Sequence, residues 1–359
     1  MKRAFLAIAI LALAIPAFAQ KIGKPTKDGK EPTPAQREII NEGIRLHEEK
    51  RYDEAIVQYN KVLAESPDCV LALYEVGYAY YAKKDLDNSL RYALKAAEYR
   101  SDILPRVYMM IANVVDDKGE PEKAIKIYEE AIKQTPNSAL LRYNIAITYF
   151  RLKKFKEARA QAKKAVELDF AYPSPHYILA VHFSDSGYKV PSLLAGLRFL
   201  SLEADTPRAK SAAALIAQKL ESGATKNKES GNINIFVDLN SPKDEGDFST
   251  IDLILSMRSA MRIGGDDEKD EKPKTREEQF VDTLEMLVDS IAEDDENGKT
   301  FSGKNYFAYF REMKAKDYTK VLGHLVLAQI GSDTAMDWLA KNQQDLLAFW
   351  NWSKAFNSK

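Results

Sequence analysis

The feature that most constrains this chain is a recurrence of small residues at intervals of 34 or 35. Gly43 returns as Gly77, Ala112 and Ala146, and Ala55 returns as Ser89, Ala124 and Ala158. Pro67 and Pro136 close the first and third intervals. A period of this size marks a repeat architecture, in which one unit cannot bury its apolar face alone and stacking makes a continuous core. Large apolar residues fall at helical spacing between the small ones. That spacing is interrupted at Lys50-Arg51-Tyr52-Asp53, Lys83-Lys84-Asp85-Leu86 and Lys118-Gly119-Glu120-Pro121. Each interval therefore reads as two helices and a turn, with small residues where the helices approach and large ones between successive pairs.

These residues resemble the tetratricopeptide repeat. Its pattern puts a large residue, Leu, Gly and Tyr on a first helix, then Ala, an aromatic and Pro through a second. The first repeat matches with Ile39, Gly43, Leu46, Ala55, Tyr59 and Pro67, and the second with Leu73, Val76, Gly77, Tyr80, Ser89 and Ala96. The third matches with Tyr108, Ile111, Ala112, Ala124, Tyr128, Ala131 and Pro136. The fourth carries Ile145, Ala146, Tyr149, Ala158, Ala162 and Ala165, and a more divergent fifth Leu179, Ala180, Phe183, Ser192 and Gly196. Thr206-Pro207 then reads as an N-cap followed by Pro at the first helical position, opening an Ala-rich capping helix to about Leu220. The expected fold class is all-α. A right-handed superhelix of helical hairpins spans 35–221, followed across a linker at 222–232 by a small, mainly helical C-terminal domain at 233–359.

In the family the concave face comes from the first helix of each hairpin. Carried over by repeat count, the groove residues are Tyr74, Tyr78 and Tyr81, then Met109 and Asn113, then Tyr143 and Ile147, then Tyr177. A Tyr-lined groove suits a peptide, because Tyr supplies contact area at low entropic cost. Some family members clamp a terminal carboxylate between two Asn and three basic residues. Asn113 and Asn144 match the two Asn, but Met109, Ser174 and Ile178 stand at the basic positions. A carboxylate would lack compensation there. The amides are left to grip a ligand's backbone, since each both donates and accepts.

Beyond the linker, 233–239 alternates as a short strand, and Phe248 to Ile263 reads as a helix. The run 264–274, with Asp266, Asp267, Glu268, Asp270 and Glu271, reads as a solvated acidic linker. Phe280, Leu284, Leu287, Val288 and Ile291 mark an amphipathic helix, and Tyr306, Tyr309, Phe310 and Met313 a second. Tyr318 to Ile330 is apolar on more than one face, Asp333 is placed to cap the next helix, and the chain closes on Phe349, Trp350, Trp352 and Phe356. These stripes read as core.

Chemical motifs fail on inspection. Glu293, Asp295, Asn297 and Gly298 imitate a calcium loop, but its twelfth position is Lys304 where a bidentate Glu is required. Gly298-Lys299-Thr300 lacks the earlier Gly of a phosphate loop. His47, His176, His182 and His324 are scattered and read as ordinary helix residues, and the single cysteine, Cys69, as a half-buried thiol. No catalytic, metal or cofactor site is expected. With 52 basic and 53 acidic residues there is no field to attract nucleic acid.

Residues 1–19 read as a signal peptide. Lys2 and Arg3 precede the apolar run Ala4 to Ile15, Pro16 breaks it, and Ala17-Phe18-Ala19 is the small-x-small site. Residues 20–34, rich in Lys, Pro and Gly, are expected to be disordered. The mature chain, starting at Gln20, is expected in the periplasm or secreted, without a membrane span. Together these features point to an exported scaffold that holds a protein or peptide partner of the envelope and does no catalysis. The rival reading is an envelope hydrolase or transferase with its active site in the C-terminal domain.

Overall fold

The structure, a computed structural model, describes residues 23–236, 243–264 and 274–356. The expected signal peptide and all but the ends of the acidic segment lie outside the described residues. Among the described residues no helix is long and apolar enough to cross a membrane.

The chain divides into two compact units at Gln134/Thr135. The first holds three hairpins: α1 (Pro34–Glu48) with α2 (Tyr52–Glu65), α3 (Val70–Ala82) with α4 (Leu86–Ala96), and α5 (Leu104–Asp117) with α6 (Pro121–Gln134). The second opens with two more, α7 (Ala139–Arg151) with α8 (Phe155–Leu168) and α9 (Pro173–Asp185) with α10 (Lys189–Leu202), then α11 (Pro207–Glu221). Thr206 caps α11 by accepting from the Ala209 amide, with Pro207 at the first position, as its sequence implies. The recurring small residues lie where the hairpins close. A side chain added at Gly43 would stand 2.3 Å from the Tyr59 ring of α2, and Ala112, Ala124, Ala146 and Ala158 are fully buried.

One backbone device recurs with the repeat. Lys50, Lys84, Gly119, Lys153 and Gly187 all have positive φ, between 57° and 84°, just past the first helix of their hairpins. In each, the left-handed residue donates back three residues and its successor five, as Lys84 does to the Tyr81 carbonyl and Asp85 to that of Tyr80. This is the Schellman termination, which satisfies two orphan carbonyls and reverses the chain. Three of the five positions carry Lys, whose Cβ is strained in this conformation by about 1–2 kcal/mol. Lys50→Gly is therefore expected to stabilise the first unit by about 1 kcal/mol, raising its calorimetric midpoint by a few degrees. Lys61→Gly, inside α2, should lower it by a similar amount.

The segment expected to be disordered is partly ordered. β1 (Lys27–Asp28) pairs in parallel with β2 (Tyr99–Arg100), and Lys30 donates to the Asp68 carbonyl at 3.0 Å. Few apolar side chains lie here, so the segment is held through its backbone, with ion pairs Lys27–Glu98 and Asp28–Arg100 beside it. Gly29 lies so close that a Cβ would meet Val70 at 2.4 Å. Cys69, opening α3 opposite Lys30, is fully rather than half buried, and burial pushes its thiol up.

In the second unit the chain after α11 folds back onto the last hairpin. Residues 222–232 are part of an antiparallel hairpin, β3 (Ala224–Lys226) with β4 (Ile233–Ile235). Then follow α12 (Ser249–Gly264), α13 (Arg276–Ala292), a π-helical turn over Gly303–Phe307 leading into α14 (Ala308–Ala315), α15 (Thr319–Gln329), α16 (Asp333–Lys341) and α17 (Gln343–Ala355). Ser332, not Asp333, caps α16. Residues 190–201 of α10 are buried without interruption. They share one core with α11 and with Leu255, Phe280, Leu284, Tyr309, Leu322 and Phe349. The boundary expected at 221/222 thus runs through this core.

At its centre Arg198 of α10 is fully buried. Its guanidinium donates to the Phe170 carbonyl (3.0 Å), the Ser353 carbonyl (3.0 Å) and Ser353 Oγ (2.7 Å), and lies over the Phe170 and Tyr309 rings at 4.3 and 4.5 Å. His176 touches the same carbonyl through Nε2 at 3.0 Å and the Tyr306 hydroxyl through Nδ1 at 3.0 Å. A carbonyl only accepts, so Nε2 carries the proton and Tyr306 donates to Nδ1. Burial, helped by Arg198, pushes His176 down to about 3, and it stays neutral at physiological pH.

Candidate functional site

The expected groove residues divide between the two units. In the first, α3 presents Tyr74, Tyr78 and Tyr81. Tyr74 is buried and Tyr78 is 41% exposed, their rings parallel at 6.0 Å. His47 of α1 stacks on the other side of this row, 4.8 Å from Tyr78, and meets Tyr52 at 5.0 Å. The row is continuous because residues four apart on α3 stand one above the other. Tyr81 is turned aside: its hydroxyl donates to Asp117 at 2.6 Å and Lys84 lies over its ring. Burial raises the Tyr74 hydroxyl to about 12 and the neighbouring Glu75 carboxyl to about 7, the latter opposed by Arg106.

Met109 and Asn113 are half-buried on α5. Asn113 Oδ1 accepts from the Tyr128 hydroxyl of α6 at 2.5 Å. Its acceptor is thus engaged in joining the two helices of one hairpin. Asn144, on α7, donates to the Leu140 carbonyl of its own helix at 2.8 Å. Each amide assigned to a ligand's backbone has one end tied within its own repeat.

In the second unit the residues open onto a cavity. Ile147 and Phe150 of α7, Phe155 at the start of α8, and Tyr177, Ile178, Val181 and His182 of α9 line a cavity of about 430 Å³, together with the polar Asp185 and Ser186. Phe155 is 48% and Val181 37% exposed, high for large apolar groups. His182 packs against two rings, 5.2 Å from Phe150 and 5.6 Å from Phe155, which also touch each other. Burial and then Arg159 lower its pKa against the pull of Asp185. A volume of this size, apolar with polar groups at the rim, accepts one or two large apolar side chains.

Of the two tyrosines expected here, Tyr177 lines the cavity, while Tyr143 stands one turn before Ile147 on α7 and is not part of the lining. Tyr143 meets Tyr172 edge-on at 5.4 Å, and Arg208 of α11 lies 5.9 Å from the Tyr177 ring centre. Arg208 donates to Ser174 Oγ at 2.9 Å while paired with Glu203. A cation therefore stands beside Ser174, where the repeat count offers none, because it comes from the capping helix. Phe150, Phe155, Val181 and His182 escaped the sequence reading because it counted fixed positions on first helices. The cavity also uses the turn into the second helix, and the exposed apolar Phe155 next to a turn was the available signal.

Comparison with known proteins agrees with the hairpins. Residues 43–84 match the family described as TPR repeat, and residues 117–180 that described as tetratricopeptide repeat. These segments thus carry tetratricopeptide repeats. It is 34% identical over 122 residues to the Hsp70-Hsp90 organizing protein of Triticum aestivum, covering 33% of this chain and 19% of that protein. It is 29% identical over 127 residues to tetratricopeptide repeat protein 13 of Homo sapiens, covering 34% of this chain and 14% of that one. The match thus spans less than a fifth of either relative. Among solved structures, a thermophilic TPR protein of Thermus thermophilus aligns with a TM-score of 0.42 and 21% identity over 52% of this chain and 98% of that one.

Proposed function

We propose that this protein is an exported adaptor that holds an apolar segment of a protein partner in the aromatic cavity of its fourth and fifth hairpins. The observation that carries this reading is the 430 Å³ cavity whose rim leaves Phe155 and Val181 exposed. Half-exposed apolar side chains around a concavity are what a partner's side chain would desolvate, and such anchors dominate binding energy. Tyr74 and Tyr78, with His47, form a separate aromatic row within the first unit. The name of the wheat relative, an organizing protein for Hsp70 and Hsp90, supports a role in holding other proteins.

The protein is read as non-catalytic. The polar groups at the centre of the second unit, His176, Arg198 and Tyr306, are closed off from solvent and bonded to one another or to carbonyls. The basic start, apolar run and Ala17-Phe18-Ala19 support export, with the periplasm as the destination. A mature amino terminus at Gln20 on protein recovered from the cell envelope is the expected result. An intact Met1 form in the cytoplasm would refute it.

Binding is tested with the full chain as bait in envelope extract, followed by mass spectrometry of captured proteins. Phe155→Ala combined with Val181→Asp should lose the specific partners, since truncating an anchor costs about 2 kcal/mol or more. Helicity should be unchanged, because both side chains are exposed. Lys126→Ala, outside the cavity, should capture as the unmodified protein does. Equal capture by the cavity variant would place binding elsewhere.

A further inference from the structure

A second surface lies outside the repeats, on the helices that follow them. Helix α12 turns Ile251, Leu255, Ser259 and Ala260 inward. On its outer side Leu253, Met257 and Met261 are 43%, 49% and 46% exposed. Steps of four residues put these three in one stripe about 12 Å long, at 1.5 Å per residue. Beside the stripe, α12 and α13 enclose an open cavity of about 420 Å³, floored by Ile254, Met286 and Ser290. The rest of the lining is an acidic wall, Asp282, Glu285, Asp289 and Glu293, all from α13.

The charges on this wall are unevenly answered. Asp282 is paired with Arg258 and Lys274, and Asp289 with Lys314. Among the described residues Glu285 and Glu293 make no ion pair. Burial, with repulsion from Asp282, Asp317 and Asp289, pushes Glu285 above the usual carboxylate range against the pull of Lys320. A cation brought to this wall would meet two carboxylates without partners. A helix brought to the stripe would cover three large apolar side chains, two of them methionines that adapt to what they touch.

We propose that α12 and α13 form a docking face for an amphipathic helix of a partner protein, its Leu, Met or Phe side chains on Leu253, Met257 and Met261 and its Lys or Arg side chains on Glu285 and Glu293. A groove between two helices is the shape that a third helix fills, with anchors every three or four residues. The adjacency of an apolar stripe and an acidic wall selects a basic helix over an acidic one. This face lies on different helices from the aromatic cavity, so the two can be occupied independently.

The test uses the full chain and two synthetic 18-residue amphipathic helices, one of Leu and Lys, the other its Leu and Glu counterpart. Fluorescence anisotropy should show saturable binding of the Leu/Lys helix, weakening as salt rises, and none of the Leu/Glu helix. Met257→Asp should weaken binding at least tenfold by placing a charge in the stripe. Glu285→Lys with Glu293→Lys should do the same without touching the stripe, and stands alone if Met257→Asp fails to fold. Equal affinity for both peptides, or binding unchanged in the double variant, would overturn the proposal. So would a concentration-dependent dimer in sedimentation velocity that Met257→Asp abolishes, since a second copy would then be the occupant.

Discussion

Arg198→Ala is expected to destabilise the second unit by about 4 kcal/mol and to lower its thermal midpoint by about 10 °C, while leaving the first unit's transition in place. The change empties the space between the Phe170 and Tyr309 rings, removes the Arg198 bond to the Phe170 carbonyl, which keeps its donor His176, and leaves the Ser353 carbonyl without the Arg198 donor. Hydrogen bonds to a charged group are worth about 1.5–3 kcal/mol each, and a buried acceptor left without a donor bears its own desolvation cost. Losses above about 4 kcal/mol arise where a buried network and a cavity combine, as here. Arg198→Met, which fills the volume but donates nothing, should recover part of the loss. Calorimetry of the full chain, resolving the two transitions, measures both. Two unchanged transitions in Arg198→Ala would mean that α17 is not held to α10 through this side chain.

A chain ended after Glu221 is expected to keep the folded first unit and to lose cooperative folding of residues 135–221. The truncation looks harmless on the sequence, where it falls at the edge of a polar linker. In the structure it removes α12 to α17 and uncovers α10, buried from Val190 to Ser201, together with one side of α11. Each large apolar side chain returned to water costs about 1.5–3 kcal/mol, and a few of them exceed the 5–15 kcal/mol that holds a domain folded. Amide hydrogen exchange reads the result directly. Protection should persist in α1 to α6 and collapse in α7 to α11. Retained protection in α9 and α10 would show that these hairpins stand without the helices that cover them.

The local features of this protein were legible because they depend on neighbours in sequence. The period of small residues, the hairpin turns, the Thr206-Pro207 cap and the stripe Phe280, Leu284, Leu287, Val288 and Ile291 are each set by spacing along one helix or by one turn. Their structural counterparts fall where that spacing puts them. The candidate site was legible only as repeat positions on first helices. Counting repeat positions found Ile147 and Tyr177 in the cavity wall, but it could not tell that Asn113 answers a hydroxyl of its own hairpin, that Tyr81 turns to Asp117, or that Arg208 arrives from the capping helix. Nor does the local composition of 23–34 reveal its pairing with Tyr99 and Arg100, since those partners are some seventy residues away.

The sequence by itself determined that the chain is helical, that its first part is an array of tetratricopeptide hairpins, and where each hairpin turns, because period, propensity and capping act over a few residues. Only the tertiary structure decided what covers the last hairpin, why an arginine and a histidine lie at the centre of the second unit, and which aromatic side chains surround a cavity. The first two depend on contacts between residues more than a hundred positions apart, such as Arg198 with Ser353 and His176 with Tyr306, and the third on how three successive helices pack. No periodicity along the chain encodes such pairs. They are selected when polar groups that cannot reach water must find each other inside a shared apolar core.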